Sequence, residues 1–454
     1  MALERLCVGW HLLCEFLRLR CWPQPGSRAA LLRLQQRRLQ RFLRDDLPAI
    51  PFYAAVERSS LAALPIVDKA TVLSAFDRFN RHGITRDQAF AAAAQAESGQ
   101  PAGLPAGLTA GLSSGTSGAP HVFLVSPRER GTWAGVVLAT VLSRASLRQL
   151  LTPWAPPLRV AFFLRAHSSL YDTVDGWRLQ LTWLALTQPL PEQLLRLQAL
   201  APHILVAPAS VLGTLARAQL TGNLSIAPRQ VISVAEVLED DDAQAALQAW
   251  GLSPSQIYQC TEGFMGSSCE AGFVHLNEQH LLIEQEWLDT EHTRFRPLVT
   301  DFMRSSQAFV RFRLDDVLRP LPGPCACGRP TLALARIEGR ADDRLWLPDA
   351  SQQLQPLYPD GLRHAIARAQ TEWPSDATVQ DYRLQQHGLR WLLSTQPTLD
   401  AAHRAMLVQA LADVCHSAGL GPPEIAHAPW VADDARSKRR RIRCVQMPDS
   451  HIHP

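Results

Sequence analysis

The stretch of sequence that decides the fold of this chain is Gly111-Leu112-Ser113-Ser114-Gly115-Thr116-Ser117-Gly118-Ala119-Pro120. Its six central residues are all glycines or hydroxyl side chains, and an apolar run at 121–125 predicts a strand directly after them. Glycines let successive backbone N–H groups point into one concavity, and hydroxyls add donors, so the run suits an anion. No Gly-Lys-Ser/Thr closes it, so it is not the common nucleotide P-loop. Taken alone, the run is also compatible with a flexible surface loop.

The composition is that of an ordinary globular protein. With 454 residues the chain can bury a large core and form more than one domain. Hydrophobic residues make up 46% and charged residues 19%, which excludes a disordered chain. The net charge of +3 is too close to neutral to indicate nucleic acid as the main partner.

The sequence offers neither a membrane span nor a secretory signal. No apolar stretch is long enough to cross a bilayer, and residues 1–20 include six charged or histidine side chains, which predicts an amphipathic helix. Nine cysteines without an export signal favour reduced thiols, a metal site and a cytoplasmic location. Cys7, Cys14 and Cys21 recur every seven residues on one helix face, and we interpret them as core residues.

Apolar periodicity predicts alternating strands and helices in the middle of the chain. Ser126, Pro127 and Glu129 form a helix start with a capping box. Predicted strands are at 158–164, 204–207 and 230–234, and they alternate with predicted helices at 191–199 and 242–250. This alternation predicts a parallel sheet with helices on its faces.

The pattern changes in the last third of the sequence. Antiparallel strands are predicted within 273–287 and 309–314. Beyond residue 343 the sequence predicts a small α+β domain, with strands at 344–347, 380–384 and 389–393 and a helix at 398–418. The predicted organisation is a large domain at 1–338, a hinge at 339–343 and a small mobile domain at 344–454.

Four further motifs follow the hydroxyl-rich run in order: Tyr258-Gln259-Cys260-Thr261-Glu262, Val310-Arg311-Phe312-Arg313-Leu314-Asp315-Asp316, Ile337-Glu338-Gly339-Arg340-Ala341-Asp342-Asp343 and Ser437-Lys438-Arg439-Arg440. The series resembles the adenylate-forming superfamily of acyl-CoA ligases and adenylation domains over nearly the whole chain. A Cys-x-Cys-Gly-Arg at 325–329 narrows the resemblance to the phenylacetate–CoA ligase and coenzyme F synthetase-like branch. It implies an α/β fold whose large domain has sheets with packed helices and a β subdomain, followed by a small mobile α+β domain.

The resemblance implies roles in ATP binding for several residues. The donors at 113–118 would hold the β- and γ-phosphates, Glu262 would bind Mg²⁺ and Thr261 would contact the α-phosphate. Tyr258 would stack on adenine, and Glu236 would line the nucleotide site. Where many relatives have a lysine after the loop proline, this chain has His121, which weakens the expected grip on phosphate.

Further implied roles concern the ribose and the hinge. Asp316 occupies the position whose carboxylate accepts hydrogen bonds from the ribose hydroxyls, while Asp315 is not expected to take part. Arg340 would contact ribose or phosphate. Asp342 falls at the hinge about which the small domain turns between the two half-reactions.

Lys438 is the candidate for the adenylation lysine, which would contact the substrate carboxylate and the α-phosphate. The basic run at 437–443 has a second interpretation as a nucleic-acid or solubility patch. The usual glycine before the lysine is Ser437 here.

Cys269, His275, Cys325 and Cys327 form a candidate metal set. Three thiols and an imidazole make a closed tetrahedral site, which is typical of structural rather than catalytic zinc. Reduced buried cysteines are the alternative interpretation.

The sequence leaves the acyl acceptor and the acid open. The segment after Asp343 lacks the glycine turn that shapes the pantetheine tunnel in CoA ligases of this branch, so CoA, the phosphopantetheine of an acyl carrier protein and another nucleophile are all possible acceptors. Aromatic and polar residues near 162–171 suit an aromatic carboxylic acid, although core packing explains them equally well. A contrasting hypothesis is a non-catalytic, zinc-stabilised binding module with a basic nucleic-acid-contacting tail.

Overall fold

The computed structural model describes residues 2–57, 60–97, 103–112, 121–164, 176–370, 373, 379–431 and 439–448. These residues form two compact units. Unit 1 contains the described residues up to Leu314 together with Arg319–Arg336. Unit 2 contains Asp315–Leu318 and the described residues from Ile337 onward.

The helices of the described chain are α1 (Ala2–Cys21), α2 (Arg28–Arg41), α3 (Pro51–Ala54), α4 (Lys69–Ser74), α5 (Arg86–Glu97), α6 (Pro127–Val141), α7 (Arg144–Leu151), α8 (Leu190–Leu200), α9 (Ala209–Leu220), α10 (Asp240–Trp250), α11 (Pro359–Gln370) and α12 (Ala401–Ser417).

The strands are β1 (Thr109–Leu112), β2 (Val122–Val125), β3 (Leu158–Leu164), β4 (Leu179–Ala185), β5 (Ile204–Pro208), β6 (Gln230–Val234), β7 (Ser255–Cys260), β8 (Gly263–Ser268), β9 (Val274–Leu276), β10 (Leu281–Trp287), β11 (Phe295–Asp301), β12 (Phe312–Arg313), β13 (Asp316–Pro320), β14 (Ala333–Arg340), β15 (Leu345–Pro348), β16 (Leu354–Leu357), β17 (Asp381–His387), β18 (Arg390–Gln396), β19 (Glu424–His427) and β20 (Ile442–Gln446).

The main sheet of unit 1 confirms the predicted alternation of strands and helices. Strands β4, β3, β5, β6 and β7 pair in that order, all in parallel. Both faces are covered, which is why β5 is buried at every position. One core, which includes Phe163 and Leu205, packs with residues of α8 and α9, and a second includes Val160 and Ile232.

Antiparallel strands extend this sheet and form a second ladder. Strands β7, β8 and β9 pair antiparallel, and residue Ala333 of β14 pairs with His275 of β9. Strand β11 pairs with β10 and with β12. The strand expected over 309–314 is reduced to β12, because Arg311 adopts a left-handed backbone with φ of 45° that breaks the extended run.

The capping box predicted at the start of α6 is confirmed. The Ser126 hydroxyl accepts from the Glu129 N–H at 3.3 Å, and the Glu129 carboxylate accepts from the Ser126 N–H at 2.7 Å. Pro127 occupies the first turn, where its missing N–H costs nothing.

Unit 2 is a small α+β structure. Its main sheet has the order β19-β18-β17-β20, and β15 and β16 form a separate antiparallel pair. Its core contains the fully buried Trp391 together with Leu407 and Leu411 of α12.

In the described part of the chain, no single helix has the length and apolar character needed to cross a membrane. Helices α6 and α7 reach that threshold only when they are joined across a bend of 119°.

Candidate active site

Strands β1 and β2 flank the hydroxyl-rich run as an antiparallel pair, with Leu112 opposite Val122. The run itself, Ser113 to Pro120, lies outside the described residues, as do Lys438, the polar positions 165–171 and the side chain of Asp342. What is described is the strand after the run, whose four residues are all buried.

His121 and Glu262 meet at the start of this strand. The His121 Nδ1 atom lies 3.4 Å from Glu262 Oε1, and both side chains are at least nine-tenths buried. The imidazole stacks on the Phe312 ring, with the planes 8° apart and the centroids separated by 6.3 Å. The histidine that replaces the lysine of many relatives therefore contacts the carboxylate expected to hold Mg²⁺, a contact that neither motif alone could predict.

The Glu262 carboxylate is held in its ionised form. Burial by itself raises its pKa, but the hydrogen bond and charge of His121, together with a hydrogen bond from the Thr261 side chain, lower it to about 2 from an ordinary 4.5. Its ionised form therefore stabilises the fold above pH 4.5, and this contribution is lost as the pH falls towards about 2. An ionised carboxylate oxygen at neutral pH is a suitable ligand for Mg²⁺.

Arg304 joins the two segments that carry this pair. Its guanidinium donates to the Thr261 carbonyl oxygen at 3.0 Å and to the Leu124 carbonyl oxygen at 2.8 Å. It is 4% exposed and lies over the Phe309 ring, 4.7 Å from the centroid. No sequence motif singled out this residue, because its partners are backbone carbonyls far away in sequence.

The segment that carries Arg304 is itself fixed by Glu129. One oxygen of this carboxylate accepts from the N–H groups of Ser305 at 2.6 Å and Ser306 at 2.8 Å, while the other completes the capping box. Gln307, which is fully buried, accepts from the Leu124 N–H at 2.8 Å. A residue that the sequence identified only as a helix cap thus also orders the loop beside the candidate site.

Asp301 is a second carboxylate near Glu262 in the fold. Burial raises its pKa to about 7, although the positive charge of Arg304 opposes the shift. One of its oxygens accepts from the Met303 N–H at 2.7 Å. A Cβ atom on Gly263, which has φ of 152°, would lie 3.0 Å from the other oxygen, so this glycine permits the close approach.

Other predicted site residues of unit 1 lie in or next to its strands and helices. Glu236 accepts from the Ser210 N–H at 3.1 Å and from its hydroxyl at 2.7 Å, at the start of α9. Tyr258 lies in β7 opposite Gly266 and is 8% exposed. Phe163, proposed for the acyl pocket, is fully buried in the core, so packing explains it.

The ribose candidates belong to unit 2. Asp316 begins β13, and the neighbouring Asp315 carboxylate lies 3.9 Å from the Arg340 guanidinium. The Arg340 N–H donates to Asp343 at 3.1 Å, and the other oxygen of Asp343 accepts from Arg440 at 2.7 Å. Asp315, which we did not expect to take part, therefore neighbours the side chain predicted to contact the nucleotide.

The four candidate metal ligands lie together in unit 1. The ligand atoms of Cys269, His275, Cys325 and Cys327 are all within 4.8 Å of one another. Their closest pairs are Cys269 Sγ to Cys325 Sγ at 3.7 Å and His275 Nε2 to Cys327 Sγ at 3.3 Å. Two thiolates on a tetrahedral zinc ion, with Zn–S bonds of about 2.3 Å, lie about 3.8 Å apart, so the spacing fits zinc.

The orientation of the His275 imidazole is fixed by contacts of its Nδ1 atom, the ring nitrogen that does not face the thiols. His275 Nδ1 lies 3.1 Å from the Thr331 carbonyl oxygen. The Thr331 hydroxyl oxygen lies 2.8 Å from the same nitrogen. With the proton on Nδ1, the ring donates to Thr331 and the lone pair of Nε2 faces the Cys327 thiol. Such a partner is the usual means of fixing a metal-binding histidine.

Comparison with known proteins used both sequence and structure. Neither a protein-family model nor a curated protein matches the sequence. Among solved structures, 2-hydroxyisobutyryl-CoA ligase in its postadenylation state with R3-HIB-AMP matches with a TM-score of 0.60 at 15% identity, covering 94% of this chain and 91% of that one. The chain has the adenylate-forming ligase fold.

Two further matches extend this result. An open conformation of 2-hydroxyisobutyryl-CoA ligase with 2-HIB-AMP and CoA gives a TM-score of 0.53 at 15% identity, with 94% of this chain and 96% of that one covered. The amide bond synthetase McbA from Marinactinospora thermotolerans gives 0.50 at 14% identity, with 76% and 68% covered. The α/β ligase fold that the motif series predicted is therefore confirmed.

The position of Arg304 in this ligase fold leads to a stability prediction. Arg304→Gln should lower the free energy of unfolding by about 2–3 kcal/mol, because two buried carbonyls lose a charged donor. Denaturant unfolding measures the change. Arg319→Gln, at an exposed position of β13, is the matched control and should stay within about 0.5 kcal/mol of the unaltered chain. Equal, small effects of the two substitutions would show that Arg304 does not brace the site.

Proposed function

We propose that this chain uses ATP to activate a carboxylic acid as an acyl-adenylate, releasing pyrophosphate, and then transfers the acyl group to a thiol. The observation that carries the proposal is the buried, ionised Glu262 against His121, beside the strand that follows the hydroxyl-rich run, in a chain with the ligase fold. The proposal makes the protein an AMP-forming acid–thiol ligase that uses ATP and Mg²⁺.

In the first half-reaction a substrate carboxylate oxygen attacks the α-phosphorus of ATP, and the bond to pyrophosphate breaks. Glu262 would hold Mg²⁺, which would supply charge neutralisation at the phosphates. The donors at 113–118 bind the β- and γ-phosphates, and Thr261 contacts the α-phosphate. His121 holds the Glu262 carboxylate in position, and Arg304 fixes the backbone of the turn that carries it.

We assign the rest of the nucleotide to further residues of the motif series. Tyr258 would contact adenine and Glu236 would line its site, while Asp316 would bind the ribose and Arg340 would contact ribose or phosphate. Asp342 would act as the hinge residue. These assignments rest on the motif series.

For the acid and for the acyl acceptor we propose a chemical class. The branch that the motifs resemble favours an aromatic carboxylic acid. The acceptor is a thiol, either that of CoA or the phosphopantetheine of an acyl carrier protein. One structural neighbour, the open conformation of 2-hydroxyisobutyryl-CoA ligase, is in complex with 2-HIB-AMP and CoA, which supports the first option. ATP-dependent chemistry and nine cysteines that form no disulfide bond in the described chain are in keeping with a cytoplasmic enzyme.

We further propose a structural Zn²⁺ on Cys269, His275, Cys325 and Cys327. Four protein ligands leave no open position for water, so the ion would stabilise rather than react. It would hold the segment after β8 against the segment that precedes β14, and β8 itself begins at Gly263, directly after Glu262. Burial lowers the pKa of His275, which favours the neutral imidazole that a metal requires.

The contrasting hypothesis of a nucleic-acid-binding module is weakened because two arginines of the basic run near the C-terminus are already paired with carboxylates. Arg440 pairs with Asp343, and Arg441, which is 3% exposed, pairs with Asp381 at 2.7 Å and lies over the Tyr382 ring. Calorimetry separates the two functions. The ligase hypothesis requires binding of ATP·Mg²⁺, whereas salt-dependent nucleic-acid binding without ATP binding would support the module.

Replacement of Lys438 by alanine tests the assignment of the adenylation lysine. We expect Lys438→Ala to slow acyl-adenylate formation by about 10²–10³-fold, since a charge that stabilises the transition state is lost. Acyl transfer from preformed acyl-adenylate should continue at nearly the original rate. Arg443→Ala, in the same basic run, is the control. Equal loss in both half-reactions would mean that Lys438 serves folding or that another lysine acts.

A further inference from the structure

Helix α1 has an apolar face that points away from the protein. Four large side chains at spacings of four, three and four residues share this face, which for a helix means one continuous stripe. They are Leu6, Trp10, Leu13 and Leu17, which are 69%, 65%, 48% and 38% exposed. Trp22, just beyond the helix, is 63% exposed and extends the stripe.

Several charged side chains of α1 contact other parts of unit 1, whereas Arg5 is exposed. Glu4 forms an ion pair with Arg130 of α6. Glu15 lies 2.7 Å from the Nε2 atom of His280, and Arg20 donates to a backbone carbonyl at the end of α6. Val8 and Phe16 of α1 are also buried, so the exposed apolar stripe is additional to the apolar surface that a surface helix normally buries.

The orientation of α1 is fixed by close packing against α6. A Cβ atom on Gly131 would lie 2.3 Å from the Val8 carbonyl oxygen, and one on Gly135 would lie 2.5 Å from the Leu12 carbonyl oxygen. Both glycines therefore permit a helix contact that alanine would prevent. The outward apolar face is thus a fixed feature of the fold.

Positive charge is concentrated in the same part of the chain. Residues 1–46 contain nine arginines, two glutamates and two aspartates, an excess of five positive charges, whereas the whole chain has a net charge of +3. Within this segment Arg41 and Arg44 pair with Asp45, and Arg28 pairs with Glu278. Arg33 and Arg37 lie one turn apart on the exposed side of α2 and form no ion pair with any residue that the structure describes. The remainder of the chain is therefore net acidic.

A groove connects the two features. An open cavity of about 740 Å³ lies between α1 and α2 and is lined by Leu17, Trp22 and Leu34. Arg18 and Arg37 also line it. Apolar surface and guanidinium groups thus form one continuous face.

We propose that this face, the apolar stripe of α1 with Arg33 and Arg37 of α2, docks the protein onto an anionic lipid surface. Helices that lie in the plane of a bilayer interface combine Trp and Leu on one side with nearby basic residues, and anionic headgroups attract those residues. The proposal goes beyond the ligase function and does not depend on it.

A second copy of the chain is the less favoured occupant of this face. The apolar spacing is that of a coiled-coil seam, but it continues for fewer than three heptads, and stable seams need more. A symmetric contact would also bring the arginines of two copies towards each other. An anionic surface satisfies both the apolar stripe and the excess of positive charge.

Sedimentation of the full-length protein with vesicles tests the proposal. Vesicles of equal parts phosphatidylcholine and phosphatidylglycerol should bind the protein, and vesicles of phosphatidylcholine alone should bind it at least about tenfold more weakly. Trp10→Glu should lower binding about tenfold or more. Arg33→Gln/Arg37→Gln should lower it about fivefold for each arginine.

Matched variants control for general effects of the substitutions. Trp154→Glu changes a tryptophan of unit 1 that is 87% exposed and lies outside this face, and Arg196→Gln/Arg229→Gln removes two exposed arginines elsewhere. Both should bind vesicles as the unaltered chain does. All four variants should keep the melting temperature, because each altered side chain is exposed.

Two results would overturn the proposal. One is the absence of binding to anionic vesicles, or an equal effect of Trp10→Glu and Trp154→Glu. The other is a dimer in sedimentation velocity that Trp10→Glu dissociates, without any vesicle binding, which would assign the face to a second copy.

Discussion

Replacing Glu262 by glutamine should lower carboxylate-dependent exchange of pyrophosphate into ATP by about 10²–10³-fold, because the site loses the charge that holds Mg²⁺ at the phosphates. Glutamine keeps the shape of the side chain and can still bond to His121, so the loss is specific to charge. The pKa of about 2 means that the unaltered carboxylate is ionised across the whole practical pH range.

The control for this variant is Glu286→Gln. Glu286 pairs with Arg313 at 2.6 Å on the neighbouring ladder, where its side chain is 32% exposed. We expect it to retain its exchange activity. If both variants exchange pyrophosphate at the unaltered rate while remaining folded, Glu262 does not take part in catalysis.

Cys325→Ser/Cys327→Ser should abolish zinc binding and lower the melting temperature by about 5 °C or more, since the energy of metal binding contributes to folding. Elemental analysis of protein purified without a metal-affinity tag gives the zinc content directly. One equivalent of zinc per chain is expected for the unaltered protein. Acid or a strong chelator should release it, because the thiols must be deprotonated to bind.

Cys14→Ser/Cys21→Ser is the matched control for the zinc prediction. Both cysteines are exposed on α1, so the double variant should keep its zinc and its melting temperature. A zinc content near zero in the unaltered protein would refute the proposal. An unchanged melting temperature in Cys325→Ser/Cys327→Ser would return these residues to ordinary core packing.

Local signals in the sequence were sufficient for much of the fold. The helix start at Ser126 was predicted because side chains three residues apart cap it. Strands β3, β5 and β6 were predicted because a strand buried on both faces is a short, continuous apolar run bounded by turns. In each case the decisive interactions are local in sequence or depend on burial alone.

The prediction that Cys14 and Cys21 belong to the core was wrong, because both are exposed, whereas Cys7 is half-buried. Periodicity correctly placed them near one face of a helix, but it cannot tell which face meets the protein. That was decided by partners remote in sequence, such as Arg130 and His280, which bind the charged side chains of α1.

The contacts of the candidate site were also beyond the reach of local sequence signals. His121 and Glu262 were each identified from a motif, but their contact joins strands that are far apart in sequence. Arg304 and Asp301 belong to none of the sequence motifs, and they became apparent only from the backbone carbonyls that Arg304 bonds and from the burial of Asp301.

Exchange of labelled pyrophosphate into ATP, measured with folded protein, Mg²⁺ and a panel of aryl, heteroaryl and fatty acids, tests the central claim most directly. We predict that exchange depends on at least one acid of the panel and is lost in Glu262→Gln. No exchange with any acid, from protein that is folded, would contradict the ligase function.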